Sequence, residues 1–145
     1  MRITNRFTIA VHIITATDYF DESLTVTSGF LAGSVGVNPV TVRTVLGKLR
    51  NAGIIKISQG KSGIHLAASP DKISLYDVYK AVCGADDDEL FRFHENPNAK
   101  CPVGRNIHKV MDKRLSDIKR AMEESLKKTT LAEIIEDTRR EIEKG

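Results

Sequence analysis

Apolar residues recur at helical spacing along most of the chain and at strand spacing in one short stretch. Residues 4–19 read as a first helix, with Thr4 or Asn5 as N-cap and Phe7, Ala10, Val11 and Ile14 on one face. Asp18 to Ser23 is a polar loop. A short helix follows from about Ser28 to Val35, where Thr27 or Ser28 accepts an early backbone N–H, and it stops at Gly36. Asn38-Pro39 then starts another helix, because Asn is a strong N-cap and Pro suits the first helical position, where its missing N–H costs nothing. This helix runs to Ala52 and ends at Gly53. It places Val42, Val45, Leu46 and Leu49 toward a core and Thr41, Thr44 and Lys48 on the opposite face.

Ile54 to Ser58 and Ile64 to Ala67 are β-branched or apolar runs around Gln59-Gly60-Lys61-Ser62-Gly63, a two-stranded hairpin with a basic, glycine-bearing tip. Helix, tight turn, helix, hairpin is the order of a winged helix-turn-helix. Ser69-Pro70-Asp71 turns the chain out of the hairpin, and Ser74-Leu75-Tyr76-Asp77 is a capping box opening a helix to about Cys83. Residues 85–104 lack a period and hold Pro97, Pro102 and Gly104, so they read as a loop. From about Arg105 to Lys128, Ile107, Met111, Leu115, Ile118, Met122 and Leu126 form one narrow apolar seam on a long helix. Charges cover its other faces, so this seam needs an apolar partner. Thr130-Leu131-Ala132-Glu133 is a second capping box and opens a last helix carrying Leu131, Ile134, Ile135 and Ile142. The expected fold is mainly α with a small β-hairpin wing: a winged helix-turn-helix over residues 1–84, a linker or sensor loop over 85–104, and dimerisation helices over 105–145.

Composition narrows the function. At 145 residues the chain has room for one ordinary domain with one appended element, not for a barrel enzyme. No apolar run reaches about 18 residues, which excludes a spanning helix, and the stretch after Arg2 and Arg6 lacks the small-residue site of a signal peptide. A cytoplasmic protein is expected. Absence of Trp and few aromatics disfavour a carbohydrate or base-stacking site. No phosphate-cradling Gly-rich loop, nucleophile elbow or His-Glu-x-x-His is present, so no catalytic residue is assigned and the protein is read as not an enzyme. The net charge of +3 says little until it is divided: +4 over residues 1–70, −3 over 71–100 and +2 over 101–145. The basic surplus lies on the helix-turn-helix, and the acidic run Asp86 to Glu89 lies in the loop.

In a helix-turn-helix the second helix enters the major groove with its first turns at base edges. Asn38, Val40, Thr41 and Thr44 occupy those turns, Arg43, Lys48 and Arg50 reach toward phosphates, and Gln59, Gly60, Lys61 and Ser62 form the wing tip. Thr27 and Ser28, at the start of the preceding helix, offer backbone N–H groups to a further phosphate. Each residue alone fits a solvated helix face; together they point to double-stranded DNA.

The run Asn38-Pro39-Val40-Thr41-Val42-Arg43 through Asn51-Ala52-Gly53-Ile54-Ile55, then Gly60-Lys61-Ser62-Gly63-Ile64-His65-Leu66-Ala67 and Ile73-Ser74-Leu75-Tyr76-Asp77-Val78, resembles the Rrf2 family of winged-helix transcriptional regulators over nearly the whole chain. Leu90-Phe91, His94, Pro97-Asn98 and Cys101-Pro102-Val103-Gly104 resemble its YwnA-like branch. The resemblance implies a homodimeric regulator, read as a repressor at a pseudo-palindromic operator, whose long helix crosses its partner. Cluster-bearing members place three closely spaced cysteines before that helix; here the loop holds Cys101 alone, so no cofactor and no iron–sulfur cluster is expected.

Cys83 and Cys101 are too few for a disulfide framework and too far apart for a zinc spacing. Cys101, with Lys100 and Arg105 nearby to favour a thiolate, is a redox-sensor candidate, weighed evenly against a structural thiol. Cys83 reads as core, His12 and His65 as structural, and His94 and His108 as surface residues, so no metal site is assigned. A second reading stays open: a winged-helix interaction or scaffold dimer that no longer binds DNA. Gln59, where the family often carries a wing arginine, is its best support.

Overall fold

Thr27 and Asn38 each open a helix by accepting a backbone N–H, Thr27 Oγ1 from Phe30 at 3.1 Å and Asn38 Oδ1 from Val40 at 2.8 Å. In the computed structural model, which describes residues 5–58, 63–83 and 94–145, helix α1 spans Asn5–Phe20, α2 Ser28–Val35 and α3 Pro39–Asn51. Gly36 closes α2 in the left-handed conformation, and its N–H returns to Ala32 O. The hairpin pairs β1 (Ile55–Ser58) with β2 (Gly63–Leu66), antiparallel, with Ile55 opposite Leu66, Lys56 opposite His65 and Ser58 opposite Gly63. The wing-tip residues Gln59, Gly60, Lys61 and Ser62 and the capping residue Thr4 lie outside the described residues, as does the acidic run Asp86 to Glu89.

A 3-10 turn over Pro70–Lys72 leads into α4 (Leu75–Cys83). Its capping box forms in both directions: Asp77 Oδ2 accepts from Ser74 N–H at 2.9 Å, and Ser74 Oγ accepts from Asp77 N–H at 3.1 Å. The long helix α5 spans Pro102–Lys128 and starts three residues earlier than its periodicity suggested. Pro102 takes the first helical position for the reason Pro39 does, with Cys101 as the cap residue. Gly104 is needed there, because a Cβ at that position would come within 2.5 Å of Asn98 O. Thr130 and Glu133 complete the last capping box and open α6 (Leu131–Lys144).

The core gathers around α1. Sequence spacing put Phe7, Ala10, Val11 and Ile14 on its inner face, but Ile9, Ala10, Ile13, Ile14, Ala16 and Thr17 are all buried, while Phe7 and Val11 are only partly covered. The reason is position: α1 touches α2, α3, α4, β2 and α6, so it is enclosed on more than one side and a single amphipathic stripe understates its burial. Val42, Val45, Leu46 and Leu49 of α3 join this core as their spacing required, and Val78 and Val82 of α4 do the same, with Cys83 packed beside them.

The two C-terminal helices differ. Helix α6 returns to the N-terminal half: Leu131 is fully buried, Leu131 N–H donates to Ile73 O at 2.8 Å, and Leu75 N–H donates to Thr129 O at 2.9 Å. Helix α5, by contrast, has no buried residue, and among its predicted seam positions Ile118 is 49% exposed while the others are half-covered. No helix among the described residues is long and apolar enough to cross a membrane.

Candidate nucleic-acid interface

Burying Val42, Val45, Leu46 and Leu49 leaves the other side of α3 outward. Val40 is 59% exposed, Arg43, Thr44 and Arg50 are exposed, and Thr41 and Lys48, one above the other, sit half-covered at one margin. The solvent face is therefore centred on Val40, Arg43 and Thr44, shifted from the Thr41, Thr44 and Lys48 line that spacing suggested. Two side chains expected to face a base are already engaged. Asn38 Oδ1 caps α3, and the Thr44 hydroxyl donates to Val40 O at 3.0 Å, although its lone pairs stay open to a donor.

The N-terminus of α2, one face of α3 and the hairpin meet in a cleft of about 420 Å³ lined by Thr27, Ser28, Arg43, Gly47, Arg50 and Ser58, among others. A backbone bond holds the hairpin to it. Ile64 N–H donates to Val26 O at 3.0 Å, and Gly63 sits with φ +76, where an added Cβ would lie 2.5 Å from the same oxygen. Glycine at 63 thus lets β2 come close enough to fix the wing against the residue preceding the Thr27 cap.

The cations differ in their partners, and several outside α3, such as Lys56, Arg105, Lys109, Lys113 and Lys128, also lie without a carboxylate in ion-pair distance among the described residues. In the second half of α5 and in α6, Lys119, Arg120, Lys127, Arg139, Arg140 and Lys144 are each ion-paired, mostly three or four residues along their own helix. Among the described residues no carboxylate lies within ion-pair distance of Arg43, Lys48 or Arg50. Arg43 and Arg50 line the cleft beside the α2 N-terminus, which also favours anions, and Lys48 projects from the other margin of the same helix. Such an arrangement suits a polyanion whose charges are spaced along a backbone.

Other candidate residues are placed elsewhere. Cys101 is exposed at the start of α5, and Cys83 is half-buried on α4. The His94 and His108 rings lie 5.8 Å apart, with His108 Nε2 at 3.1 Å from His94 O. His12 Nε2 contacts Ser34 Oγ at 2.9 Å, and His65 Nδ1 contacts Asp21. Spacing missed Val103 and Val110, which are 69% and 49% exposed and widen the apolar face of α5 at its N-terminal half. A scan of every apolar residue on that helix, not only the best-spaced set, would have found them.

Comparison with known proteins places the chain among regulators. The Rrf2 family profile, described as iron-dependent transcriptional regulator, matches residues 3–137. YwnA of Bacillus subtilis (strain 168), provisionally named an HTH-type transcriptional regulator, is 37% identical over 133 residues, which cover 92% of this chain and 96% of that one. A crystal structure provisionally described as a DNA-binding protein is 32% identical, covers 90% of this chain and 98% of its own, and superposes with a TM-score of 0.70. The structure of T. potens IscR, 19% identical and covering 95% of this chain and 88% of its own, shares the fold with a TM-score of 0.70. The iron in the family description finds a poor donor set here. The chain has two cysteines, one half-buried and one exposed, and among the described residues no three His, Cys, Asp or Glu side chains gather as a metal-holding group.

Proposed function

The chain belongs to the Rrf2 family of transcriptional regulators and carries its winged-helix DNA-binding fold, and from that premise we propose that it is a cytoplasmic, homodimeric repressor of a pseudo-palindromic operator, working without an iron–sulfur cluster. Arg43, Lys48 and Arg50, without carboxylate partners among the described residues, carry this reading. They hold the phosphates beside the groove, together with the backbone N–H groups at Thr27 and Ser28, while Val40, Thr41 and Thr44 meet base edges and Asn38 fixes the helix start. Gln59, Gly60, Lys61 and Ser62 extend the contact from the wing tip. The half-covered seam of Ile107, Met111, Leu115, Ile118, Met122 and Leu126 supports a second copy as partner, because a helix of 27 residues that packs on α4 yet has no buried side chain leaves that apolar stripe incompletely covered. Two recognition helices related by a two-fold axis then meet half-sites about one helical turn, or a multiple, apart.

Cys101 is proposed as the redox switch. It is exposed at the base of the helix that joins the protomers, so a disulfide formed there reports directly on the dimer. Selection of bound fragments from random DNA with reduced and with oxidised protein tests both halves of the proposal. A sequence motif with two-fold symmetry that is lost on oxidation, and retained by Cys101→Ser under the same oxidant, is expected. Recovery of no preferred sequence refutes the operator, and an oxidant response that survives Cys101→Ser refutes the switch. The scaffold alternative predicts activity that tolerates charge reversal at Arg43 and Lys48.

A further inference from the structure

On the far side of the hairpin from α3, the fold builds a second cleft of about 450 Å³ between the end of α1 and the outer face of the wing strands, lined by Thr17, Asp18, Asp21, Lys56, Ser58, His65 and Leu66. The alternation of a strand brings its hairpin residues together: Lys56 and His65 are direct cross-strand partners, Ser58 is two residues further along β1, and all three belong to one face of the sheet. The opposite wall is the last turn of α1 and the residues just past it. There Asp18 pairs with Arg139 of α6 at 3.4 Å, and Asp21 pairs with His65. Thr17, on the cleft wall, is fully buried, and its hydroxyl has no hydrogen-bond partner among the described residues. A buried hydroxyl left unbonded costs about 1–3 kcal/mol and is a mark of a site that a ligand or water completes.

We propose that this cleft binds a small zwitterion, a free α-amino acid, as an effector. The charge pattern selects that class. Carboxylates at the end of α1, where the helix C-terminus adds partial negative charge, receive an ammonium. Lys56, with the Ser58 hydroxyl beside it, receives a carboxylate from the opposite wall. Asp18 and Asp21 share the lining with Lys56 and His65, and Arg139 pairs with Asp18 from outside it, so acid and base are close to balanced and favour a ligand that is balanced too, while Leu66 offers a short apolar surface to a side chain. The volume lies in the range of small-molecule sites. A ligand held between α1 and β1–β2 fixes the angle at which the hairpin leaves the core, and the same hairpin is anchored at Gly63 beside the α2 cap. The effector and operator DNA are therefore coupled, each changing the affinity of the other by the same factor.

The test uses the full-length protein and the standard amino acids one at a time, read by calorimetry and by the thermal unfolding midpoint, with acetate and ethylamine as single-charge controls. At least one amino acid is expected to bind saturably and raise the midpoint, neither control to do so, and Lys56→Gln to weaken that binding by roughly tenfold or more. Lys56 is exposed on its strand, so this substitution leaves the fold intact; Asp21→Asn probes the other wall. No saturable binding by any amino acid, or equal binding by one of the single-charge controls, overturns the site. Unchanged affinity in both variants overturns its location. These measurements contain no DNA, so their failure is separate from failure of the operator reading. In a last arm the bound amino acid is expected to change affinity for the selected DNA fragment severalfold, and equal affinity with and without it overturns the effector role.

Discussion

Neutralising Arg50 tests the interface through its electrostatics. Arg43, Lys48 and Arg50 are three cations without carboxylate partners per protomer among the described residues, which in the proposed two-fold dimer would make six phosphate contacts. Each phosphate neutralised on duplex DNA adds about −0.9 to the slope of log affinity against log salt, so the wild type should show a slope of about −5. Between roughly 50 and 200 mM salt that slope lowers affinity by about a thousandfold. Arg50→Gln shortens the side chain but keeps its polarity and helix propensity at an exposed position in the last turn of α3, so the fold should change by less than about 0.5 kcal/mol. It removes one contact per protomer and should make the slope shallower by about 1.8 on every sequence tested. Fluorescence anisotropy of a labelled upstream fragment, titrated across a salt series, measures both slopes. A wild-type slope near zero refutes the phosphate-facing role of α3, and an Arg50→Gln slope equal to the wild type removes Arg50 from it. A change of about 0.9 instead of 1.8 shows that one protomer, not two, docks at this face.

Base readout separates from phosphate contact: Thr41→Ala should relax the preferred sequence in a binding selection while leaving the salt slope in place, and Lys48→Ala should weaken all sequences alike. Gly63→Ala places a Cβ 2.5 Å from Val26 O at φ +76, so urea unfolding should show a loss of about 1–3 kcal/mol with weaker DNA binding, and unchanged stability would mean that the wing is not anchored there. Leu131→Ala should cost about 2–5 kcal/mol in the same assay, since Leu131 is fully buried; a loss under about 1 kcal/mol would show that α6 is not part of this core. Leu115→Glu should shift sedimentation from dimer to monomer, because it buries an unpaired charge in the proposed contact, and an undiminished dimer would show that the seam faces elsewhere.

Local signals were readable and distant ones were not. Caps are local: Thr27, Asn38, Ser74 with Asp77, and Thr130 with Glu133 each announce a helix start within four residues, and each makes its bond. Pro102 carried the same signal as Pro39 but stood among turn-forming residues, Pro97, Asn98 and Gly104, that masked it. Only the contact of Gly104 with Asn98 shows why a glycine there serves a helix start instead of a loop. The return of α6 to α1 had no local signature. It is set by the bonds of Leu131 to Ile73 and of Leu75 to Thr129, between segments more than fifty residues apart in sequence. For the same reason the candidate interface could be named residue by residue, whereas its depth depends on tertiary placement. Asn38 and Thr44 use their side chains within α3 itself, whereas the half-covered state of Thr41 follows from how α3 is seated in the fold.

The small net charge then has a physical explanation. In the second half of α5 and in α6, acids three or four residues from the bases cancel their field within a few ångströms, and Arg139 is cancelled across the fold by Asp18. On α3 no such cancellation occurs among the described residues, so the charges of Arg43, Lys48 and Arg50 stay uncancelled on the surface of that helix. Pairing two protomers through α5 would present that surface twice at a fixed spacing. A polyanion with regularly spaced charges gains from both copies at once, and the second engagement proceeds at the effective concentration set by the rigid dimer. In the proposed dimer, affinity for DNA would depend on how α5 orients the two α3 helices as well as on charge. In the proposed switch, oxidation at Cys101 would act at the start of α5, away from the residues of α3 that face the phosphates in that proposal.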